Sequence, residues 1–278
     1  MAPRLALALW LSCIPLSASI MAAERIISVG PATTELILAL GGEKRLVATD
    51  ISSQDPKGLP RVGYHRALAA EGMLSLSPTL VVGSDEMGPK ATLEQLGRAG
   101  VKVEVQATAP TLANLNQRIT TLATLLGMPQ AGDALNARVN QEAASLATEA
   151  KQNKPLNVVF LLLHKGQPTS IAGGDTTASA LITLAGGVNP VATLRGYKPV
   201  SAESLIEMQP DLVLVSGRDW QQYQDPHTVL QQVSSLSATP AGKRLAIHAI
   251  DGHALQGGLS LMTLAQASKV AGWIKQGS

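Results

Sequence analysis

Short apolar runs punctuated by glycine and proline alternate along this chain with stretches whose apolar residues recur every three or four positions. That alternation is the pattern of strand–helix units building parallel sheets. The first unit opens with Arg25-Ile26-Ile27-Ser28-Val29, an apolar run broken by Gly30-Pro31. A helix carrying Leu36, Ile37, Ala39 and Leu40 follows, with Thr33 or Thr34 as its expected cap and Gly41-Gly42 as its end.

The second half echoes the first. Asn157 to Leu163 reads as a strand, Gly173-Gly174 as the loop and Thr176-Thr177 as the cap of a helix that runs to Gly186-Gly187. Val47-Ala48-Thr49 follows the first glycine pair and Val191-Ala192-Thr193 the second. Further on, Glu71, Pro78 and Leu80-Val81-Val82 are matched by Glu203, Pro210 and Leu212-Val213-Leu214, at a constant offset of 132 residues. In each copy a short helix is stopped by proline ahead of a buried parallel strand, so an internal duplication is expected.

Between the halves the period is helical. Leu112, Leu115, Ile119, Leu122 and Leu126 form one stripe, Gly127-Met128-Pro129 breaks it, and Ala134, Leu135, Val139, Ala143, Leu146 and Ala150 form the next. Lys154-Pro155 ends this stretch. The fold class expected is therefore α/β, with two Rossmann-like lobes, each with a central parallel sheet, joined by a single long helix. The boundaries read 24–128 for the first lobe, 129–153 for the helix and 154–278 for the second lobe. A cleft between two such lobes suits ligand capture, because pockets favour domain interfaces and the carboxyl ends of parallel strands.

Residues 1–23 read as a targeting segment: Arg4, an apolar stretch from Leu5 to Leu16, then Ala22-Ala23 before Glu24. Met21 makes an imperfect site for a cut after Ala23. The apolar run is shorter than the ~20 residues a span needs. The single cysteine, Cys13, lies inside this segment, in a context that poorly matches a lipidation site, so the exported chain lacks thiol chemistry. An exported periplasmic protein is expected.

Composition narrows the function. Twenty-two Lys+Arg against 20 Asp+Glu leave a net charge of +2, too little to hold a nucleic-acid backbone. Aromatics are only 3%, too few for stacking platforms along a polymer. No dinucleotide loop, phosphate loop, nucleophile elbow or zinc spacing occurs, and the five histidines are scattered.

One segment stands apart: Pro60, then Arg61-Val62-Gly63-Tyr64-His65-Arg66. It suits a plain exposed turn. It also suits a phenolate metal ligand. Free tyrosine has a pKa near 10, and ferric iron, a hard cation, favours an anionic oxygen, as at tyrosine-ligated haem. A guanidinium at Arg66 supports the phenolate by charge and hydrogen bonding.

Those residues carry a resemblance. The chain resembles the periplasmic haem-binding proteins of bacterial haem ABC importers, within the wider group that binds vitamin B12 and siderophores. Residues 25–35, Val62-Gly63-Tyr64-His65-Arg66-Ala67-Leu68-Ala69-Ala70-Glu71-Gly72, Leu76-Ser77-Pro78, Gly173-Gly174-Asp175-Thr176-Thr177 and Val200-Ser201-Ala202-Glu203 carry it over the whole exported chain. The Gly-Tyr-x-Arg element is the part that points to haem. The resemblance implies a fold with little hinge motion, Tyr64 as ligand of ferric haem b, Arg66 as its support and His164 as a second haem ligand, with one or two haems per chain. It also implies docking of a monomer on the inner-membrane permease through Glu71 and Glu203. For the haem propionates the sequence offers Arg218, Arg195, Lys90 and Lys198, and Met87 and Met262 are candidates for apolar walls. Rival readings are a cobalamin or ferric-siderophore binder, an exported enzyme using Tyr64 or a histidine, and metal-ion capture.

Overall fold

The computed structural model describes residues 24–54, 58–163, 166–217 and 225–277. Strands β1 (Ile26–Val29), β2 (Leu46–Thr49), β5 (Leu80–Ser84) and β6 (Lys102–Gln106) form a four-stranded sheet in the order β2-β1-β5-β6, parallel throughout. Between β2 and β5 lie a two-stranded hairpin, β3 (Gly63–Tyr64) and β4 (Ala67–Leu68), and the short helix α2 (Ala70–Leu74). Helix α1 (Pro31–Ala39) follows β1, and α3 (Lys90–Arg98) joins β5 to β6.

The second sheet has the order β11-β10-β7-β8-β9, from β7 (Val158–Leu162), β8 (Ser170–Ala172), β9 (Tyr197–Pro199), β10 (Leu212–Ser216) and β11 (Ile247–Ile250). The pairs β7–β10 and β10–β11 are parallel; the pairs β7–β8 and β8–β9 are antiparallel. The centre of this sheet is parallel as expected, and the antiparallel edge beyond β7 marks where the echo between the halves fails. Val47-Ala48-Thr49 lies in β2, but Val191-Ala192-Thr193 is a turn. The place beside β7 is taken by β8, and the 192–196 backbone lies directly on Gly173-Gly174. Gly174 N–H donates to Leu194 O at 2.8 Å, and a Cβ on Gly174 would come within 1.9 Å of Ala192 O. No side chain fits that approach.

Helix caps divide the same way. Thr176 caps α6 (Thr177–Leu184) by accepting from Ser179 N–H, as expected. Helix α1 has no side-chain cap: it starts at Pro31 after Gly30, whose φ of 95° needs glycine. Thr34 instead lies buried in the first turn, its hydroxyl hydrogen-bonded to Ser28 Oγ (2.7 Å) and Ser53 Oγ (2.9 Å).

Helices α4 (Leu112–Leu125) and α5 (Pro129–Ala150) are separated at the glycine–proline break. At a rise of about 1.5 Å per residue, α5 is roughly 33 Å long. It stops at Ala150, and Lys151 to Asn153 form a turn in place of the last expected residues. Helix α7 (Ala202–Met208) precedes β10, α8 (Pro226–Gln232) and α9 (Pro240–Arg244) precede β11, and α10 (Leu261–Gly277) ends the described chain. No helix among the described residues is long and apolar enough to cross a membrane.

Strand residues alternate between two cores. Ile26, Leu80 and Val82 from the first sheet, and Val158, Phe160, Leu212 and Leu214 from the second, all enter one cluster with α1, α4, α5, α6 and α10. The opposite faces, with Ile27, Val29 and Val81 in one sheet and Val159, Leu161 and Val213 in the other, bury separate outer clusters. Each fully buried aliphatic side chain contributes about 1.5–3 kcal/mol. Because the inner cluster is continuous, the lobes share a core as well as a connecting helix. Arg118 of α4 reinforces that junction: it is buried and donates to the carbonyls of Gly257 (2.7 Å) and Leu259, beyond β11. Burial lowers its pKa to about 10 against the opposing charges of Asp85 and Glu35, so it remains a cation at neutral pH.

Candidate functional site

Tyr64 is held on its hairpin by backbone on every side. Gly63, at φ 97°, turns the chain before it, with its carbonyl accepting from Ile51 N–H at 2.9 Å. His65-Arg66 is the two-residue turn, Gly88 N–H donates to His65 O (2.9 Å), and Leu68 N–H donates to Gly88 O (2.9 Å). Beneath the turn His65 is buried. Its Nδ1 lies 3.2 Å from Ser52 Oγ and 3.8 Å from Asp50 Oδ2, and its Nε2 accepts from Arg66 Nε at 3.3 Å.

Asp50 is the anchor of this arrangement. It is fully buried and accepts from Gly30 N–H (2.8 Å), Ser52 N–H (3.1 Å) and the hydroxyls of Ser52 and Ser53. Burial pushes its pKa up, but the hydrogen bonds from His65, Ser52, Ser53 and Gly30 outweigh burial and hold it at about 2. Tyr64, 44% exposed, is thus an outward side chain on an immobilised turn, its ring 4.1 Å from the His65 ring.

The turn forms one wall of a cleft of about 910 Å³ between the lobes. Ile51, Tyr64, Arg66 and Glu86 line it from the first lobe. Phe160, Leu162 and Tyr197 face it from the second, and Leu255 and Lys269 lie further along the chain. Asp251, Gly252 and His253, directly after β11, complete the rim. These are the carboxyl ends of the parallel strands, where α/β folds bind ligands. The wall is mixed in character, with aliphatic and aromatic faces, two phenols, the imidazoles of His65 and His253 and the cations Arg66 and Lys269.

Arg66 does not hydrogen-bond Tyr64 here. Its Nη2 donates to Glu86 Oε1 at 2.7 Å, and Glu86 Oε2 also stands 4.0 Å from His65 Nε2. Glu86 acts across the cleft as well. Tyr197 packs edge-on against Phe160, with centroids 6.3 Å apart, and its pKa is pushed up to about 12 by burial and then by the Glu86 charge.

The other sequence candidates scatter. Lys90 lies in the first turn of α3, mostly in solvent and 3.7 Å from Glu94, and Arg195 sits 3.4 Å from Asp175; neither lines the cleft. Lys90 is drawn to a carboxylate one turn along its own helix, and Arg195 to the Asp175 carboxylate in the loop ahead of α6. Lys198 lies in β9 with its side chain exposed, also outside the cleft lining. Met87 is buried in the outer core of the first lobe, and Met262 lies in the first turn of α10. His164 and Arg218 fall outside the described residues. Glu71 and Glu203 occupy the first turns of α2 and α7, both exposed, ahead of the equivalent strands β5 and β10. Glu86, Tyr197, His253 and Lys269 were not singled out from sequence. They come from loops, an edge strand and a final helix whose spacing carries no motif. Exposed aromatics are rare in this composition, and that scarcity was the available signal for Tyr197.

Residues 26–252 match the periplasmic binding protein family. The chain belongs to that family. Among solved members, the periplasmic haem-binding protein HutB of Vibrio cholerae is 46% identical, with a TM-score of 0.86 over 90% of this chain and 98% of that one. The periplasmic haem-binding protein RhuT of Roseiflexus sp. RS-1, in apo form, is 35% identical, with a TM-score of 0.85 over 92% and 99%. The vitamin B12-binding protein of Vibrio cholerae serotype O1 is 29% identical over 228 residues, 78% of this chain and 82% of its own length. The fold is accordingly the helical-backbone form of periplasmic binding proteins, two α/β lobes about a ligand cleft.

Proposed function

We propose that this chain captures ferric haem in its cleft, in the periplasm, and delivers it to an inner-membrane ABC permease. The observation that carries the reading is Tyr64, an exposed phenol on a turn fixed by the Asp50–His65 network, at the edge of a cleft with apolar walls. The phenolate oxygen of Tyr64 would ligate the iron, while Ile51, Phe160, Leu162 and Leu255 offer the porphyrin an apolar surface. Arg66, on the same hairpin as Tyr64, would support the phenolate by exchanging part of its bond with Glu86 for one to Tyr64. Lys269 lines the cleft with no ion-pair partner among the described residues, which suits a propionate. Similarity to haem-binding members supports haem over cobalamin: HutB is 46% identical, against 29% for the B12-binding protein.

In this reading residues 1–23 are a cleaved leader, 24–128 and 154–278 are the lobes, 129–153 is the connecting segment, and Glu71 and Glu203 dock a monomer on the permease. The protein carries its ligand without covalent chemistry. Titration of the purified protein with haemin, and separately with cobalamin, tests the proposal. Saturable haemin binding with a tyrosinate-to-iron charge-transfer band is expected; preference for cobalamin, or for neither ligand, would overturn it.

A further inference from the structure

Glu86 lies in the turn after β5, and its backbone ties that turn to the Tyr64 hairpin. Glu86 N–H donates to Ser84 Oγ at 3.3 Å, Met87 N–H donates to Ser84 O at 2.9 Å, and Gly88 N–H donates to His65 O at 2.9 Å. All of these residues belong to the first lobe. The Glu86 carboxylate is therefore presented to the hairpin at a set place, whatever the second lobe does.

Arg66 rests on that carboxylate. Its Nη2 donates to Glu86 Oε1 at 2.7 Å and its Nε donates to His65 Nε2 at 3.3 Å, although Tyr64 is only two residues away on the same hairpin. The side chains are 58% exposed for Arg66 and 34% for Glu86. Ion pairs so open to water are weak, because solvent screens them and two long side chains must be held still. Another anion at the hairpin can draw the guanidinium away at small cost. Its departure leaves the Glu86 carboxylate without its cation, 4.0 Å from His65 Nε2, so a restoring pull persists. The Glu86 charge also reaches the opposite wall, where it adds to burial in raising the Tyr197 pKa.

We propose that Glu86 is a positioning residue for haem release: it competes with the Tyr64 phenolate for the Arg66 guanidinium, and by drawing Arg66 back it weakens the hold on iron. The inference rests on the haem reading above and deepens it. An anionic ligand is favoured while a guanidinium lies against it, by charge and by hydrogen bonding. Each return of Arg66 to Glu86 withdraws that support, which suits a carrier that must hand its ligand on.

The experiment loads the wild type, Glu86→Gln, Arg66→Ala and the double variant with haemin, each checked for native circular dichroism. It records the tyrosinate-to-iron band and the rate of haem transfer to excess apomyoglobin. Glutamine keeps the shape of glutamate and removes its charge. Glu86→Gln should slow transfer about threefold and move the band to shorter wavelength, because a guanidinium shared less with residue 86 lies more fully on the phenolate oxygen and lowers the energy of its donor electrons. Arg66→Ala should do the reverse in both readouts, and Glu86→Gln should lose both effects in the Arg66→Ala background. Effects of Glu86→Gln that persist without Arg66 would assign them to repulsion between the carboxylate and the haem propionates, and would overturn the proposal. So would a band that stays in place in Glu86→Gln, or faster transfer from that variant. Failure of the wild type to bind haemin, or binding without a tyrosinate band, would instead defeat the haem reading itself.

Discussion

Two tyrosines stand on opposite walls of one cleft with nearly equal exposure, 44% for Tyr64 and 39% for Tyr197. Their chemistry is set apart by what lies around them. Tyr197 packs edge-on to Phe160 within the field of Glu86, and both burial and that charge oppose ionisation. Tyr64 sits on a turn beside a guanidinium, with Asp50 holding the turn from below. Under the proposed function, near-equal exposure conceals unequal roles, and the difference arises from neighbours rather than from residue type.

The sharpest way to break this comparison is to exchange the tyrosines' fates. Tyr64→Ala should weaken ferric haem binding about 100-fold, roughly 2.7 kcal/mol, and abolish the tyrosinate band. Tyr197→Phe should leave both within about threefold in the same titration. Equal losses from the two would erase the distinction drawn here.

An effect of similar size is expected from the support beneath Tyr64. Asp50→Asn leaves the surrounding donors poorly paired and should cost about 3 kcal/mol in denaturant unfolding. The same carboxylate makes a pH prediction. Its folded pKa, about 2, lies below its unfolded value near 3.8. Its contribution is therefore fully present above about pH 4 and is lost as pH falls toward 2. Acid unfolding followed by circular dichroism should show this loss in the wild type and less of it in Asp50→Asn.

A comparable effect is expected at the junction of the lobes. Arg118→Leu strands the carbonyls of Gly257 and Leu259 and should destabilise the fold by about 2–3 kcal/mol, while leaving the tyrosinate band of haem-loaded protein in place. The smallest effect belongs to Glu86. Glu86→Gln removes the charge opposing Tyr197 ionisation, so ultraviolet titration should show the Tyr197 pKa below about 12. A pKa that does not move would place the cause in burial alone.

Much of this architecture was readable from the chain. Apolar runs such as Leu80-Val81-Val82 and Leu212-Val213-Leu214 are strands because only a doubly covered parallel sheet hides every residue of such a run. The break at Gly127-Met128-Pro129 separated α4 from α5, and the Glu71 and Glu203 helices recur at equal spacing before equivalent strands. Tyr64 stood out because exposed aromatics are scarce. The antiparallel strands β8 and β9 escaped notice, since their pairing depends on the close seat of residues 192–196 on Gly173-Gly174. Lys90 and Arg195 had suitable charge but the wrong neighbours, Glu94 and Asp175.

By itself the sequence determined most of the strands and helices and marked the tyrosine-bearing turn, because hydrophobic period and glycine–proline punctuation act locally along the chain. Tertiary structure alone decided which side chains share the cleft. Glu86 meets Arg66 and Tyr197, and His253 and Lys269 reach the same cleft, only because the lobes close around a continuous core. Charge and burial act through space, and sequence separation does not encode those distances.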